Sequence, residues 1–165
     1  MEIRLANKAD YPQLAILNRA VQEPHAAAEP LLFKSEPDIA QVIAFFEELL
    51  ADPDNRIFII EVEGRAAGYL YLQIMRRPEN VFMHAYNMAY IHHIAVLKEK
   101  QRGGLGSILM EAACDLAREE DIQIVALDTW SFNTAAHRFF ERRGFETFNL
   151  RMKKRMKDGF PPGRE

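Results

Sequence analysis

The chain has almost no cysteine: Cys114 is the only one in 165 residues. That excludes a disulfide framework within the chain and makes a reducing compartment, the cytoplasm, the expected setting. No apolar run approaches the ~20 residues that cross a bilayer as a helix, so no membrane role is expected. The opening Met1-Glu2-Ile3-Arg4 lacks the basic start and apolar core of a secretion signal. Positive charge is not in excess either. The formal net charge is −3, whereas a dedicated nucleic-acid binder normally carries a strongly basic face. The run 151–155, with Arg151, Lys153, Lys154 and Arg155, is too short to alter that. Repeats and low-complexity blocks are missing as well. Hydrophobic residues at 48% and charged residues at 27% match globular averages and argue against disorder. One domain over residues 1–156 is expected, with 157–165 as a frayed tail.

The coarse pattern alternates strands and helices. Glu2-Ile3-Arg4-Leu5 reads as a strand, and Asp10 as the cap of a helix that turns Leu14, Leu17 and Val21 to one side. Residues 24–34 read as irregular, with Pro24, His25, Pro30 and Phe33. Ser35-Glu36-Pro37-Asp38 opens a second helix that Asp52-Pro53 ends. Runs 56–63 and 66–77 are β-rich around Glu63-Gly64-Arg65, a hairpin signal. Strands are expected at 88–96 and 122–127, and a last one at 145–156; an amphipathic helix spans 108–118.

The most informative stretch joins the strand at 88–96 to that helix. A glycine-containing turn that opens a helix brings several backbone N–H groups to one point, with no carbonyl inside the helix to receive them. With the helix dipole they form an anion site suited to phosphate or pyrophosphate. Gly104 and Gly106 would let the backbone approach that anion closely. A Walker A loop does not fit, because no Lys follows a glycine here. A dinucleotide fingerprint fits in part. Gly104-x-Gly106 and a downstream Asp128 are present, but Leu109 stands where the third Gly belongs.

A third pattern, Gln/Arg-x-x-Gly-x-Gly/Ala, is matched at every fixed position by Gln101-x-x-Gly104-x-Gly106. A second segment follows in the right order. Asn133, Ala136, Phe139, Glu141, Gly144 and Phe145 fall on Asn-x-x-Ala-x-x-Phe/Leu-Tyr-Glu-x-x-Gly-Phe. It reads as a short helix capped by Asn133 or Ser131 and stopped by Gly144. Together these segments resemble the GCN5-related N-acetyltransferase (GNAT) family, over residues 2–155, with the specific motifs between 90 and 145.

The resemblance implies an α/β GNAT fold, a mixed and mostly antiparallel twisted sheet with helices on both faces, opened where the coenzyme enters. It implies acetyl-coenzyme A as co-substrate. The residues expected to hold it are Ile94, Ala95 and Val96 on the strand, Gln101, Arg102, Gly103, Gly104, Leu105, Gly106 and Ser107 in the loop, and Asn133, Ala136, Phe139 and Phe140 in the second motif. Phe140 departs from the family, which often has Tyr there to protonate the leaving thiolate. A phenyl ring can pack on the pantetheine arm but has no proton to give.

N-acetyl transfer needs a base for the acceptor ammonium, and one with a pKa near neutrality serves best. His92 and His93 are the candidates. Relatives often carry an ionisable residue four positions before the strand-ending Val, which is His92 here. Successive strand residues face opposite ways, so one of the two is expected on the substrate side and the other on the opposite face. The same divergence argues against a metal held by His84, His92 and His93; no metal is expected. Tyr90 shares the face of His92, and Asp128 ends the next strand. Cys114 and Trp130 read as packing residues, and Arg142-Arg143 as a solvated helix end within reach of a coenzyme phosphate. The acceptor is expected to be a small-molecule amine, or else a peptide N-terminus or lysine. A non-catalytic acyl-coenzyme A sensor is the alternative, and a homodimer is left open.

Overall fold

The computed structural model describes residues 1–154. Its centre is one five-stranded sheet in the order β1 (Glu2–Leu5), β2 (Asn55–Val62), β3 (Arg65–Arg77), β4 (Tyr86–Val96) and β5 (Ile124–Leu127). The first four strands pair antiparallel, and β4 pairs with β5 in parallel. The mixed, mostly antiparallel sheet expected from the family resemblance is therefore present. The β2–β3 hairpin turns at Glu63 (φ 54°) and Gly64 (φ 71°), the left-handed pair that a tight two-residue hairpin needs.

Helices cover both faces. On one lie α1 (Tyr11–Ala28) and α2 (Ile39–Ala51). Leu14 and Leu17, three apart, and Phe46 bury against Ile57, Ile59, Tyr69 and Tyr71. On the other lie α3 (Leu105–Glu119) and α4 (Thr134–Glu141), whose Leu109, Met110, Ala113 and Phe140 pack on Leu70, Leu72, Ala89 and Ile91. Adjacent β3 residues thus serve opposite cores, as strand geometry requires. Asp38 caps α2 by accepting from the Ala40 and Gln41 amides. Asp10 occupies the N-cap position of α1, yet its carboxylate makes no cap bond. It instead binds both guanidinium nitrogens of Arg4 at 2.8 Å, and Arg4 also reaches Glu61. That ties β1, β2 and the start of α1 together.

Two expected boundaries change. Residues 24–34 are not irregular throughout, because α1 runs through Pro24 to Ala28. Proline removes one helical N–H, but buried Ala26 holds the last turn in the core and the His25 side chain bonds the Val21 carbonyl. The strand expected at 145–156 is not formed over 145–154, and 155–156 lie outside the described residues. The sequence alternates apolar and polar, but no neighbouring strand takes the hydrogen bonds. Phe148, Leu150 and Met152 are exposed. Side-chain ion pairs tether the segment, Arg151 to Asp128 at 3.7 Å and Lys153 to Glu29 at 2.5 Å. The tail expected at 157–165 lies outside the described residues.

Candidate active site

The sheet opens beside β4. Pairing with β5 runs from Met88↔Ile124 to Ile91↔Leu127 and stops, because β5 is only four residues long. β4 continues to Val96, so on that edge His92, Ile94, Ala95 and Val96 have no strand beside them among the described residues. Unpaired strand edges seek hydrogen-bond partners.

At the mouth of this opening β4 carries a bulge. Tyr71 pairs with His93 and Leu72 with Ile91, which leaves His92 as the extra residue. A bulge sets two residues against one and breaks the alternation of faces. The expectation that the two histidines diverge is thereby corrected: both line one cavity of about 460 Å³ on the α1–α2 side, together with His25, Phe33, Phe45 and Trp130. His92 stacks on Tyr71 at 4.7 Å and meets Tyr90 edge-on at 4.9 Å. His93 packs edge-on against Tyr69 and Tyr71.

Their hydrogen bonds assign different roles to the two rings. Asn18 Nδ2 donates to the Tyr69 hydroxyl at 2.8 Å, and that hydroxyl lies 3.0 Å from His93 Nδ1. Burial pushes the Tyr69 phenol up, so it stays protonated. His93 is thus tied to the core through its Nδ1. Burial, then His92 and His25 nearby, push it down to about 4, too weak a base for neutral pH. His92 Nε2 lies 3.3 Å from Gln73 Oε1 and donates to it, leaving the Nδ1 lone pair available. Burial lowers its pKa and the Asp128 carboxylate partly restores it, so the ring is neutral at pH 7. Tyr90, whose hydroxyl is pushed up to about 12 by burial and by Asp128, is a proton donor only.

The anion loop follows β4. Gln101 Nε2 donates to the Val96 carbonyl at 3.0 Å and pins the loop to the strand end. Arg102 (φ 66°) and Gly104 (φ 80°) are left-handed, and Gly104 is the N-cap of α3. The Ser107 and Ile108 amides turn back to the Gly104 carbonyl, which leaves those of Leu105 and Gly106 facing outward, as first-turn amides do. The two glycines have different jobs. A side chain at Gly104 would meet nothing within 4 Å, so its constraint is φ; one at Gly106 would meet the Phe139 ring at 3.3 Å. Gly106 thus also serves the close approach of α3 and α4. Arg143 lies over the Phe139 ring at 3.7 Å, donates to the Phe139 carbonyl at 2.9 Å, and bonds Ser107 Oγ. Of the arginine pair, this is the one that stands at the loop.

In the second motif, Asn133 Oδ1 accepts from the Ala136 amide at 3.2 Å and caps α4, and Gly144 (φ 82°) ends it. Phe139 is half-buried between α3 and Arg143. Phe140 is only 7% exposed and packs on Phe139 and Phe145. Trp130 packs against His25, Phe33 and Phe132 and lines the cavity. His25 and Phe33 lie in the 24–34 stretch and Phe45 on α2; the sequence reading expected these N-terminal parts to wall the acceptor site without singling out these side chains for it. No cluster of His, Cys, Asp and Glu suited to a metal occurs among the described residues, nor does any helix there long and apolar enough to cross a membrane.

Residues 19–145 match the family model described as Acetyltransferase (GNAT) family, and the chain belongs to that family. Its chemistry is acetyl-coenzyme A-dependent N-acetyl transfer. An uncharacterized N-acetyltransferase of Archaeoglobus fulgidus is 26% identical over 145 residues, covering 85% of this chain and 89% of the relative. Among solved structures, a tetramutant of the BH1408 protein from Bacillus halodurans superposes with a TM-score of 0.87 at 22% identity, over 94% of this chain and all of that one. The aminoglycoside N-acetyltransferase AAC(6')-Iy in complex with CoA has a TM-score of 0.73 at 21% identity, over 95% of both chains. These structural likenesses concern the fold.

Proposed function

We propose that the chain transfers the acetyl group of acetyl-coenzyme A to a primary amine of a small molecule, with His92 as general base. The observation that supports this reading is the bulge at His92, a residue that lines the cavity beside the open edge of β4. The loop 101–107, with the outward amides of Leu105 and Gly106 and with Arg143 beside it, suits a pyrophosphate. The open edge of β4 at Ile94 and Ala95 suits the amides of a pantetheine arm. His92 Nδ1 takes a proton from the acceptor ammonium. The amine nitrogen then bonds to the thioester carbon, the carbon–sulfur bond breaks, and the leaving thiolate is protonated from solvent or from His92. His93, held against the Tyr69 hydroxyl, orders the cavity wall.

A cavity of about 460 Å³ falls within the size of small-ligand pockets, which favours a small-molecule amine over a peptide. Phe140 supports a second reading, an acyl-coenzyme A-binding module without turnover, since its ring has no proton for the thiolate. Free thiol appearing when an amine panel is added to protein and acetyl-coenzyme A supports transfer. Coenzyme A binding with no thiol release from any amine supports the module. A homodimer is compatible with either.

A further inference from the structure

The bulge leaves His92 exposed, and an exposed imidazole turns among its rotamers unless neighbours hold it. Tyr71 and Gln73, two apart on β3, share one face of the strand, and both meet this ring. The Tyr71 ring lies nearly parallel to it, with 4.7 Å between centroids and 12° between planes. Gln73 Oε1 accepts from His92 Nε2 at 3.3 Å. Tyr90 closes a third side edge-on at 4.9 Å.

The stacking platform is itself fixed. Tyr71 and Asn55 are buried, at 5% and 7% exposed. Asn55 Nδ2 donates to the carbonyl of Leu49, in the last turn of α2, at 2.9 Å. A carbonyl only accepts, so that partner sets the orientation of the Asn55 amide and turns Oδ1 to Tyr71, whose hydroxyl donates to it at 3.2 Å. Burial, and then Asp52, push the Tyr71 phenol up, so it keeps the proton this bond needs. Asn55 also stands opposite Gln73 in the β2–β3 register. Three elements, α2, β2 and β3, thereby converge on one imidazole of β4.

We propose that Tyr71 and Gln73 are positioning residues for His92: the stacked ring sets the plane of the imidazole, and the Gln73 carbonyl selects the tautomer with hydrogen on Nε2, so that Nδ1 is the atom that accepts a proton. This rests on the reading of His92 as general base. The groups that face His92 are Asp128 beyond β5, Tyr90 and His93 on β4, and His25 and Lys34 across the cavity. From α2 the cavity receives Gln41 and Phe45, which carry no charge. Asp128 is the only carboxylate in that set, so a second one in place of Gln73 gives a clear signal.

Imidazole nitrogen shifts in NMR, with the signal assigned through His92→Gln, report tautomer and titration without turnover. The parent should carry its hydrogen on Nε2. Gln73→Glu sets a carboxylate at that edge and favours the imidazolium, so the His92 titration should move up by about one pH unit. The kcat/KM midpoint should move up with it. Gln73→Leu frees the edge, and kcat should fall about tenfold. Tyr71→Leu should lower kcat about tenfold too, with KM for acetyl-coenzyme A within about twofold of the parent. Tyr71→Phe keeps the stacked ring and should recover most of that loss. Coenzyme A affinity near the parent's marks each variant as folded. The positioning role is overturned if the parent's hydrogen sits on Nδ1, if Gln73→Glu leaves the titration unmoved, or if Tyr71→Phe loses as much rate as Tyr71→Leu. A titration that moves while the kcat/KM midpoint stays supports the Gln73 contact and counts against His92 as the base.

Discussion

The Tyr69 hydroxyl lies 3.0 Å from His93 Nδ1, and that contact ties the more buried of two adjacent histidines to the core. It also makes His93 an acid-sensitive element of the fold. Burial holds its pKa at about 4 in the folded protein, below the ~6.5 of an exposed imidazole. Between those values the unfolded chain binds the extra proton, so stability rises with pH across that window and is lost as pH falls through it. His93→Gln should remove most of this acid limb, up to about 3 kcal/mol. Urea unfolding of parent and variant from pH 7 to pH 4 checks it; parallel curves would refute the assignment.

The two loop glycines should fail differently. Gly104→Ala forces a side chain into a left-handed backbone (φ 80°), at a cost of about 1–2 kcal/mol, with coenzyme A affinity falling because the turn that aims the amides relaxes. Gly106→Ala meets the Phe139 ring at 3.3 Å and should shift α3 against α4. Calorimetric titration with coenzyme A alongside thermal unfolding tells them apart. Undiminished affinity in the Gly104 variant would count against the pyrophosphate assignment.

Phe140→Tyr tests the departure from the family pattern. The ring is buried among Phe139 and Phe145, so an added hydroxyl without a partner should cost about 1–3 kcal/mol. Turnover should stay within about twofold of the parent if solvent or His92 protonates the thiolate. A rise of tenfold would mean that the hydroxyl reaches the sulfur and that proton supply limits the parent.

The parts of this molecule that follow local rules were legible in the sequence. The hairpin at Glu63-Gly64, the Asp38 and Asn133 caps and the strand–loop–helix around Gly104 all depend on residues near one another in the chain. The family motifs led to the sheet order's consequence, an opening beside β4. What was illegible depends on neighbours distant in sequence. A bulge is a mismatch between two strands, so nothing in Tyr90-Ile91-His92-His93 alone announces that His92 and His93 share a face. Pro24 reads as a helix breaker until buried Ala26 is seen to hold the next turn. The alternation through Phe148, Leu150 and Met152 reads as a strand, yet a strand also needs a partner, and none is paired with 145–154. Trp130 and Glu29 meet Lys153 only in three dimensions.

The measurement that bears most directly on His92 is a pH–rate profile of parent, His92→Ala, His92→Gln and His93→Ala with one accepted amine. In the parent, kcat/KM should rise as His92 loses its proton, with a midpoint below the usual imidazole value because burial lowers it. Both His92 variants should lose about 10²–10⁴ in rate and the midpoint with it, while coenzyme A affinity holds. His93→Ala should lose stability and keep the midpoint. If the His92 variants keep the parent's rate and profile, or if His93→Ala alone abolishes turnover, His92 is not the base.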